Sequence, residues 1–265
     1  MSTVKASQNA AKDIENFVAP ERIYRDDVRR TAFSVDASMF ERVAETVVDI
    51  QDELEVVNLL SHAHKTKTPV TFRAAGTSLN GQCSGSGILA RIRGSFWNQT
   101  KVMDEGNSIQ AWSGVLGIQA NDLLRPFNKM IGPDPASLAS ANFGGIIVNN
   151  AAGMCCTVEQ NAYATLKDIR IILADGTILD TTDAIGVAAF RKSHASILEQ
   201  LIELRKELLA KPEIAERIKK KYEIKNTCGY AVNSFIDFED PIDILTHLMV
   251  GSEGTLGFVT NTTLR

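Results

Sequence analysis

The chain has 265 residues, 44% of them hydrophobic and 23% charged, with a formal net charge of -4. A chain of this length buries roughly three quarters of its unfolded surface, so it forms one large domain or two small ones, and its composition excludes wholesale disorder. The negative balance excludes nucleic-acid binding by bulk charge, and no run of about 18 uncharged apolar residues exists that could form a membrane-spanning helix.

Residues 1–40 are polar and mixed in charge, and no apolar leader core is visible in 1–17. Arg22, Arg25, Asp26, Asp27, Arg29 and Arg30 cluster there, and the segment reads as a solvated arm or cap. Its acid–base neighbours are expected to form surface pairs, each contributing under about 1 kcal/mol.

From Val47 the texture changes. VVDI (47–50) reads as a short buried strand. Residues 52–67 carry Leu54, Val57, Leu60 and Ala63 at helical spacing. PVTFR (69–73) and ILARI (88–92) read as further strands, the first with its proline where a missing N–H costs little. Strands alternating with a helix predict a small α/β unit with a parallel ladder.

Beyond residue 105 the pattern differs. Residues 108–115 are strand-like and 118–130 helical. Residues 165–182 form two apolar runs around Asp175-Gly176, a dipeptide suited to the positive φ of a hairpin turn. Residues 187–222 are mostly helical, with Ile197, Leu201, Leu204 and Leu208 on one face. ILTHLMVG (244–251) leads into a glycine-containing loop, and 256–265 reads as a closing strand. The expected organisation is an N-terminal arm or cap over 1–40, one α+β subdomain over 41–105 and a second over 106–265, with a ligand between the subdomains.

Three glycine-rich segments carry the chemistry. Arg73-Ala74-Ala75-Gly76-Thr77-Ser78-Leu79-Asn80-Gly81 follows a strand directly. Its small residues let backbone N–H groups turn inward as a nest, and Thr77 and Ser78 add hydroxyl donors, an arrangement suited to a pyrophosphate. The Gly-Lys-Ser/Thr of a P-loop and the GxGxxG of a dinucleotide-binding βαβ unit are both missing, so taken alone the segment also reads as an ordinary turn. The second segment runs from Gly132-Pro133-Asp134-Pro135-Ala136-Ser137 through Asn142-Phe143-Gly144-Gly145 to Gly153. Two glycines without Cβ would let a flat ring or phosphate approach the backbone, and the alternative is a tight turn before a buried strand. The third, Gly251-Ser252-Glu253-Gly254-Thr255-Leu256-Gly257, is either a sharp reversal or a further ligand-touching loop.

The remaining reactive side chains point to structure. His62 and His64 sit two apart on the predicted helix, face different ways, and read as surface or cap residues. His194 and His247 fall in helical segments, and Trp97 and Trp112 read as core or edge aromatics. The cysteines are Cys83, Cys155, Cys156 and Cys228, with no CxxC. The usual zinc and iron–sulfur spacings are therefore absent, a reducing compartment is expected, and no metal is assigned.

The three segments in this order resemble the FAD-linked oxidoreductases with a vanillyl-alcohol-oxidase (PCMH-type) flavin domain, nearest to the D-lactate, glycolate and other D-2-hydroxyacid dehydrogenases. The matching text is 69–82, 132–153, 166–181, 225–235 and 250–265, and residues 22–38 resemble the lead-in of that group. The resemblance implies an α+β fold of two subdomains around a non-covalent FAD, since no histidine lies between 65 and 193 to anchor a flavin. It implies that Arg73, Ala74, Ala75, Gly76, Thr77 and Ser78 cradle the pyrophosphate, with Asn80 and Gly81 at the end of the cradle. Pro133, Ser137, Gly144, Gly145, Asn149, Ala151 and Gly153 would run along the ribityl chain and ring. Gly254, Gly257 and Val259 would enclose the adenine and ribose, and Lys225, Asn226 and Tyr230 belong to an element near the flavin site.

The implied reaction takes two electrons from a D-2-hydroxy acid, of D-lactate or glycolate type, to give the 2-oxo acid. The electron acceptor is not assigned, the candidates being an iron–sulfur region or a quinone in the full-length protein. The chain is then expected to be the flavin-domain portion of a longer enzyme, with no nucleic-acid partner and its catalytic base unassigned. A cytoplasmic place is expected, peripheral to the membrane if another part of the protein reaches it. Two alternatives are an FAD-binding module without turnover alone and a UDP-sugar-type flavin reductase domain.

Overall fold

The computed structural model describes residues 13–265, and the segment expected to be a solvated arm contributes to the first core. Ile14, Val18 and Ile23 are buried against Val48, Ile50, Val56 and Leu59. Isolated apolar residues in a polar stretch gave no periodic signal, yet each fills a space over the first sheet. The rest of the arm, residues 1–12, lies outside the described residues.

The first lobe runs β1 (Ile23–Tyr24), α1 (Asp27–Ala32), β2 (Thr46–Ile50), α2 (Glu53–Thr66), β3 (Val70–Arg73) and β4 (Ile88–Ile92). Its sheet has the order β1-β2-β4-β3. Both β2 and β3 pair with β4 in parallel, as the alternation predicts, and β1 adds antiparallel to β2. Helix α2 starts where the Asp52 carboxylate accepts the Glu55 amide, and ends at Lys67 in the left-handed region. The arginine cluster divides by burial. Arg29 and Arg30 make surface pairs with Asp26 and Asp27. Arg22 instead grips Glu55 through both terminal nitrogens, at 2.8 and 2.6 Å. His62 differs from expectation: it is buried, with its ring 6.1 Å from that of Phe17, because the arm covers this face of α2.

The second lobe begins with β5 (Thr100–Met103), β6 (Ser108–Trp112), α3 (Gly117–Leu124), α4 (Phe143–Asn149) and α5 (Ala162–Thr165). It continues through β7 (Leu166–Ile172), β8 (Ile178–Asp180), α6 (Ala184–Ser193), α7 (Ala195–Leu209) and α8 (Pro212–Tyr222). It closes with α9 (Ser234–Asp237), α10 (Pro241–Met249) and β9 (Phe258–Leu264). The sheet order is β5-β6-β9-β7-β8, antiparallel throughout. The β5–β6 hairpin straddles the expected 105/106 boundary, so the second sheet starts earlier than the sequence pattern indicates. In the β7–β8 hairpin only Gly176 has positive φ, and five residues make the turn instead of two. The basic-rich stretch 187–222 divides into three helices, broken at His194 and before Pro212.

The lobes are joined by side chains of the second sheet that enter the first core. Phe258 and Ile172 pack among Ile50, Ile88 and Trp97. The Phe258 ring lies 4.6 Å from Phe72 and 5.3 Å from Trp97. Alongside, Glu53 accepts from Arg170 Nε at 2.8 Å, from Arg170 Nη2 at 2.7 Å and from the Thr260 hydroxyl at 2.9 Å.

Truncating a buried phenylalanine removes its transfer energy and leaves a cavity, so Phe258→Ala is expected to cost about 3–5 kcal/mol. Thermal unfolding should fall by roughly 10 °C, at about 2–4 °C per kcal/mol for a chain of this size. An unchanged melting temperature would show that the lobes do not depend on this ring.

Candidate functional site

A cavity of about 1180 Å³ lies between the lobes. Its walls are the loop after β3, the segment 135–152 that includes α4, residues 227–229, and the loop entering β9. Helix α4 explains why these walls meet. Residues 142–153 do not form the tight turn and buried strand that the Ile146-Ile147-Val148 run suggests; Phe143–Asn149 is helical. Its first turn lies against the end of β6, where the Phe143 and Gly144 amides donate to the carbonyls of Val115 (2.6 Å) and Ser113 (3.1 Å). A Cβ on Gly144 would sit 2.5 Å from the Ser113 Cβ, so only glycine permits this approach.

The C-terminal carbonyls of α4, which have no partner within the helix, are met by the third glycine-rich loop. The Gly251 amide donates to Ile147 O (3.3 Å) and the Glu253 amide to Val148 O (2.8 Å). The 225–230 segment docks beside it. The Lys225 ammonium donates to the carbonyls of Ala152 and Gly153, and the Tyr230 and Thr255 hydroxyls lie 2.7 Å apart.

The structure brings most of the expected site residues to this one cavity. Arg73, Ala74, Ala75, Gly76, Thr77, Ser78 and Asn80 line one wall, Ser137, Gly144, Gly145, Asn149 and Ala151 another, and Gly254, Gly257 and Val259 a third. Three do not line it. Gly81 faces the arm, its Cβ position 3.1 Å from the Phe40 ring. Pro133 is buried behind the wall. Gly153 packs on Asp134, whose carbonyl a side chain would overlap. Residues missed by the sequence reading include Gln82, Cys228, Gly229 and Glu253, all on the cavity wall. The only sequence signal for Glu253 was an acidic residue enclosed by glycine-rich text.

Little formal charge faces the cavity. Among the described lining residues the ionisable ones are Arg73, Cys83, Cys228 and Glu253. Arg73 is engaged elsewhere: its guanidinium donates to the carbonyls of Phe33 (3.2 Å) and Val35 (2.6 Å), bracing the first loop on the arm. Burial pushes the Cys83 thiol up, against the opposing pull of the Ser78 hydroxyl 3.0 Å away and of Arg73. Burial likewise raises the Glu253 carboxyl, outweighing the amides of Gln82 and Asn149 that donate to it. At Asp134 the balance reverses. Burial alone would raise its carboxyl, but amide donation from Cys155, Gly153 and Cys156 outweighs it and holds the group below the ordinary carboxylate value. The four cysteines are unpaired.

These loops on this fold are matched by known proteins. The FAD binding domain family matches residues 44–182, more than half of the chain, and the chain belongs to that family. Its cofactor is FAD, and its fold is the PCMH-type α+β arrangement expected from the motifs.

Among curated relatives, D-2-hydroxyglutarate dehydrogenase of Escherichia coli (strain K12) is 23% identical, over 89% of this chain and 24% of its own length. Glycolate oxidase subunit GlcD of the same strain is 27% identical, over 69% of this chain and 38% of its own. D-lactate dehydrogenase [cytochrome] 1, mitochondrial, of Saccharomyces cerevisiae (strain ATCC 204508 / S288c) is 27% identical, over 80% and 28%. The chain thus spans about a quarter of the length of the hydroxyglutarate dehydrogenases it matches. Among solved structures, alkyldihydroxyacetonephosphate synthase aligns with a TM-score of 0.61 at 14% identity, over 97% of this chain and 40% of that one. Among the described residues, no helix is long and apolar enough to cross a membrane.

Because the Asp134 carboxyl is depressed in the folded state, its contribution is present above the ordinary carboxylate value and lost as pH falls through the depressed one. Asp134→Asn is therefore expected to lower stability at neutral pH by about 1.5–3 kcal/mol, the range for hydrogen bonds to a charged group. That gap should close as pH falls below about 4. Denaturant titrations of both proteins between pH 3 and 7 check this, and a gap that widens toward acid would contradict it.

Proposed function

We propose that the cavity between the lobes holds FAD, and that the domain serves an enzyme oxidising a D-2-hydroxy acid to the 2-oxo acid. The observation that carries the site is the convergence of the loops at Gly76 and Gly254 and of helix α4 at Gly145 on one cavity. The cavity suits the cofactor in two further respects. The amides of Ala75, Gly76 and Thr77 donate to no other described residue, which leaves a row of neutral donors for a pyrophosphate, while the Ser78 amide is directed at the Cys83 sulfur. The Cβ positions of Gly145, Gly229 and Gly254 have nothing within 4 Å, so a flat or branched group can lie against bare backbone there.

Bound FAD supplies the two-electron oxidant. The chain's own part is to bind and orient. Ala74 to Ser78 would cradle the pyrophosphate, with Arg73 holding the loop and Asn80 at its end. Ser137, Gly144, Gly145, Asn149 and Ala151 would run along the ribityl chain and ring, Gly153 and Pro133 supporting that wall from behind. Gly254, Gly257 and Val259 would enclose the adenosine end. The lactate, glycolate or 2-hydroxyglutarate class of substrate is taken from the relatives' names. An acceptor such as an iron–sulfur region or a quinone belongs to the same proposal.

One observation favours a second, narrower reading, an FAD-holding module that does not turn over alone. Removing the alcohol proton needs a general base, and among the described residues no histidine lines the cavity.

The decisive experiment is anaerobic. Purified protein loaded with FAD should show flavin absorption and release FAD on denaturation. Bleaching of the flavin band by D-lactate, glycolate or D-2-hydroxyglutarate supports the dehydrogenase reading. A bound flavin bleached by none of them supports the module, and failure to take up FAD contradicts both. The two glycines of α4 provide a second check. Gly145→Val projects into the cavity and should weaken FAD at least tenfold with the melting temperature retained. Gly144→Ala meets Ser113 and should destabilise the apoprotein by about 1–3 kcal/mol, as overpacking does. Equal flavin content in wild type and Gly145→Val would remove that wall from the site.

A further inference from the structure

Glu253 is the one carboxylate on the cavity wall among the described residues, and it stands where three segments meet. Its Oε1 accepts from Asn149 Nδ2 at 2.6 Å, at the end of α4, and from Gln82 Nε2 at 3.2 Å, in the loop of the opposite lobe. Its amide is fixed on Val148 O. The two amide donors fill one carboxylate oxygen and set the orientation of the group, while Oε2 has no hydrogen-bond partner among the described residues. The backbone adds to the picture. Glu253 adopts φ +54 beside Gly254 at φ +76, a region where glycine is the residue of least cost. A glutamate held there brings a side chain that the turn itself does not need.

The chemistry of Oε2 narrows its partner. An ionised carboxylate only accepts hydrogen bonds. Among the described residues no cation pairs with Glu253, and Arg73, the one cation lining the cavity, is committed to the arm. A phosphate or a substrate carboxylate would be repelled, which leaves a neutral donor. FAD carries such donors as hydroxyls, on its ribityl chain and on its ribose. Resting on the FAD reading above, we propose that Glu253 Oε2 accepts a hydrogen bond from a sugar or sugar-alcohol hydroxyl of the cofactor. Gln82 and Asn149 are then positioning residues that aim this carboxylate across the gap between the lobes.

The test separates this role from that of a simple latch. In Glu253→Gln the amide oxygen can keep both donors, while an NH2 replaces Oε2, so an acceptor becomes a donor with the latch intact. Glu253→Asp keeps the charge, tolerates the left-handed backbone and withdraws the acceptor by one methylene. Apoproteins are titrated with FAD at about pH 8, well above the ordinary carboxylate range. Both variants are expected to bind FAD about 10–100-fold more weakly than wild type, the loss of one hydrogen bond to a charged group. The melting temperature of the Glu253→Gln apoprotein should be unchanged.

Riboflavin and ADP, titrated separately, locate the donor. A deficit carried over to riboflavin assigns the flavin half, whose hydroxyls are on the ribityl chain, and one carried over to ADP assigns the adenosine half, whose hydroxyls are on the ribose. FAD affinity within twofold of wild type in Glu253→Asp and in any folded Glu253→Gln overturns the assignment while leaving the FAD site intact. A wild type that takes up no FAD overturns that site, and this assignment with it.

Discussion

The insertion of Phe258 into the core of the opposite lobe is the contact on which the cavity depends. Phe258 is the first residue of β9, yet its ring packs between Phe72 and Trp97 of the first lobe. One residue earlier the chain is still the glycine-rich loop that lines the cavity. The loop is therefore tethered at both ends, by buried Met249 and Val250 at its start and by Phe258 at its close. The carboxylate of Glu53, held by Arg170 and Thr260, repeats the join a few residues away. A gap bounded by such fixed joins is preorganised by the chain itself, which lowers the ordering cost of binding a large ligand.

Within the second lobe, α4 plays the corresponding part. A helix of seven residues has little stability of its own, and α4 persists because both ends are satisfied from outside. Carbonyls of Ser113 and Val115 receive its first amides, and amides of Gly251 and Glu253 satisfy its last carbonyls. The same contacts that complete the helix also bring two of the three glycine-rich segments together. Helix termination and site assembly are thus one event in this chain.

Local patterns carried much of this in the sequence. The β2–α2–β3 alternation, the β7–β8 hairpin and the closing strand are legible because periodicity and turn chemistry act over a few residues. The three glycine-rich segments are legible for the same reason, and their order points to the family. What stayed hidden depends on distant partners. Ile14 and Val18 are solitary apolar residues whose burial is decided by α2 and the first sheet. The Ile146-Ile147-Val148 run has the β-branched composition of a strand, and only the fit of Gly144 against Ser113 makes it a helix. Gly81, Pro133 and Gly153 lie within the right motifs, but they hold the wall from behind. Glu253 gives little local sign beyond its place within glycine-rich text, because its donors are 171 and 104 residues away.

The charge distribution of the cavity follows from how the wall is made. A pyrophosphate can be met by cations or by oriented backbone amides, and this chain commits its lining arginine to its own arm. Neutral donors are then left for the recognition, with the amides of Ala75, Gly76 and Thr77 in the proposed role. Such a wall is insensitive to which small side chain stands at Ala74 or Ala75, but it cannot tolerate a Cβ where the backbone must be bare. That asymmetry accounts for alanine in the first loop and glycine at Gly145 and Gly254, whose Cβ directions open onto the cavity. It also gives the one lining carboxylate among the described residues a distinct meaning. In a cavity with so little charge, Glu253 is held by two neutral amides and no cation, so its remaining oxygen is the strongest acceptor on the wall.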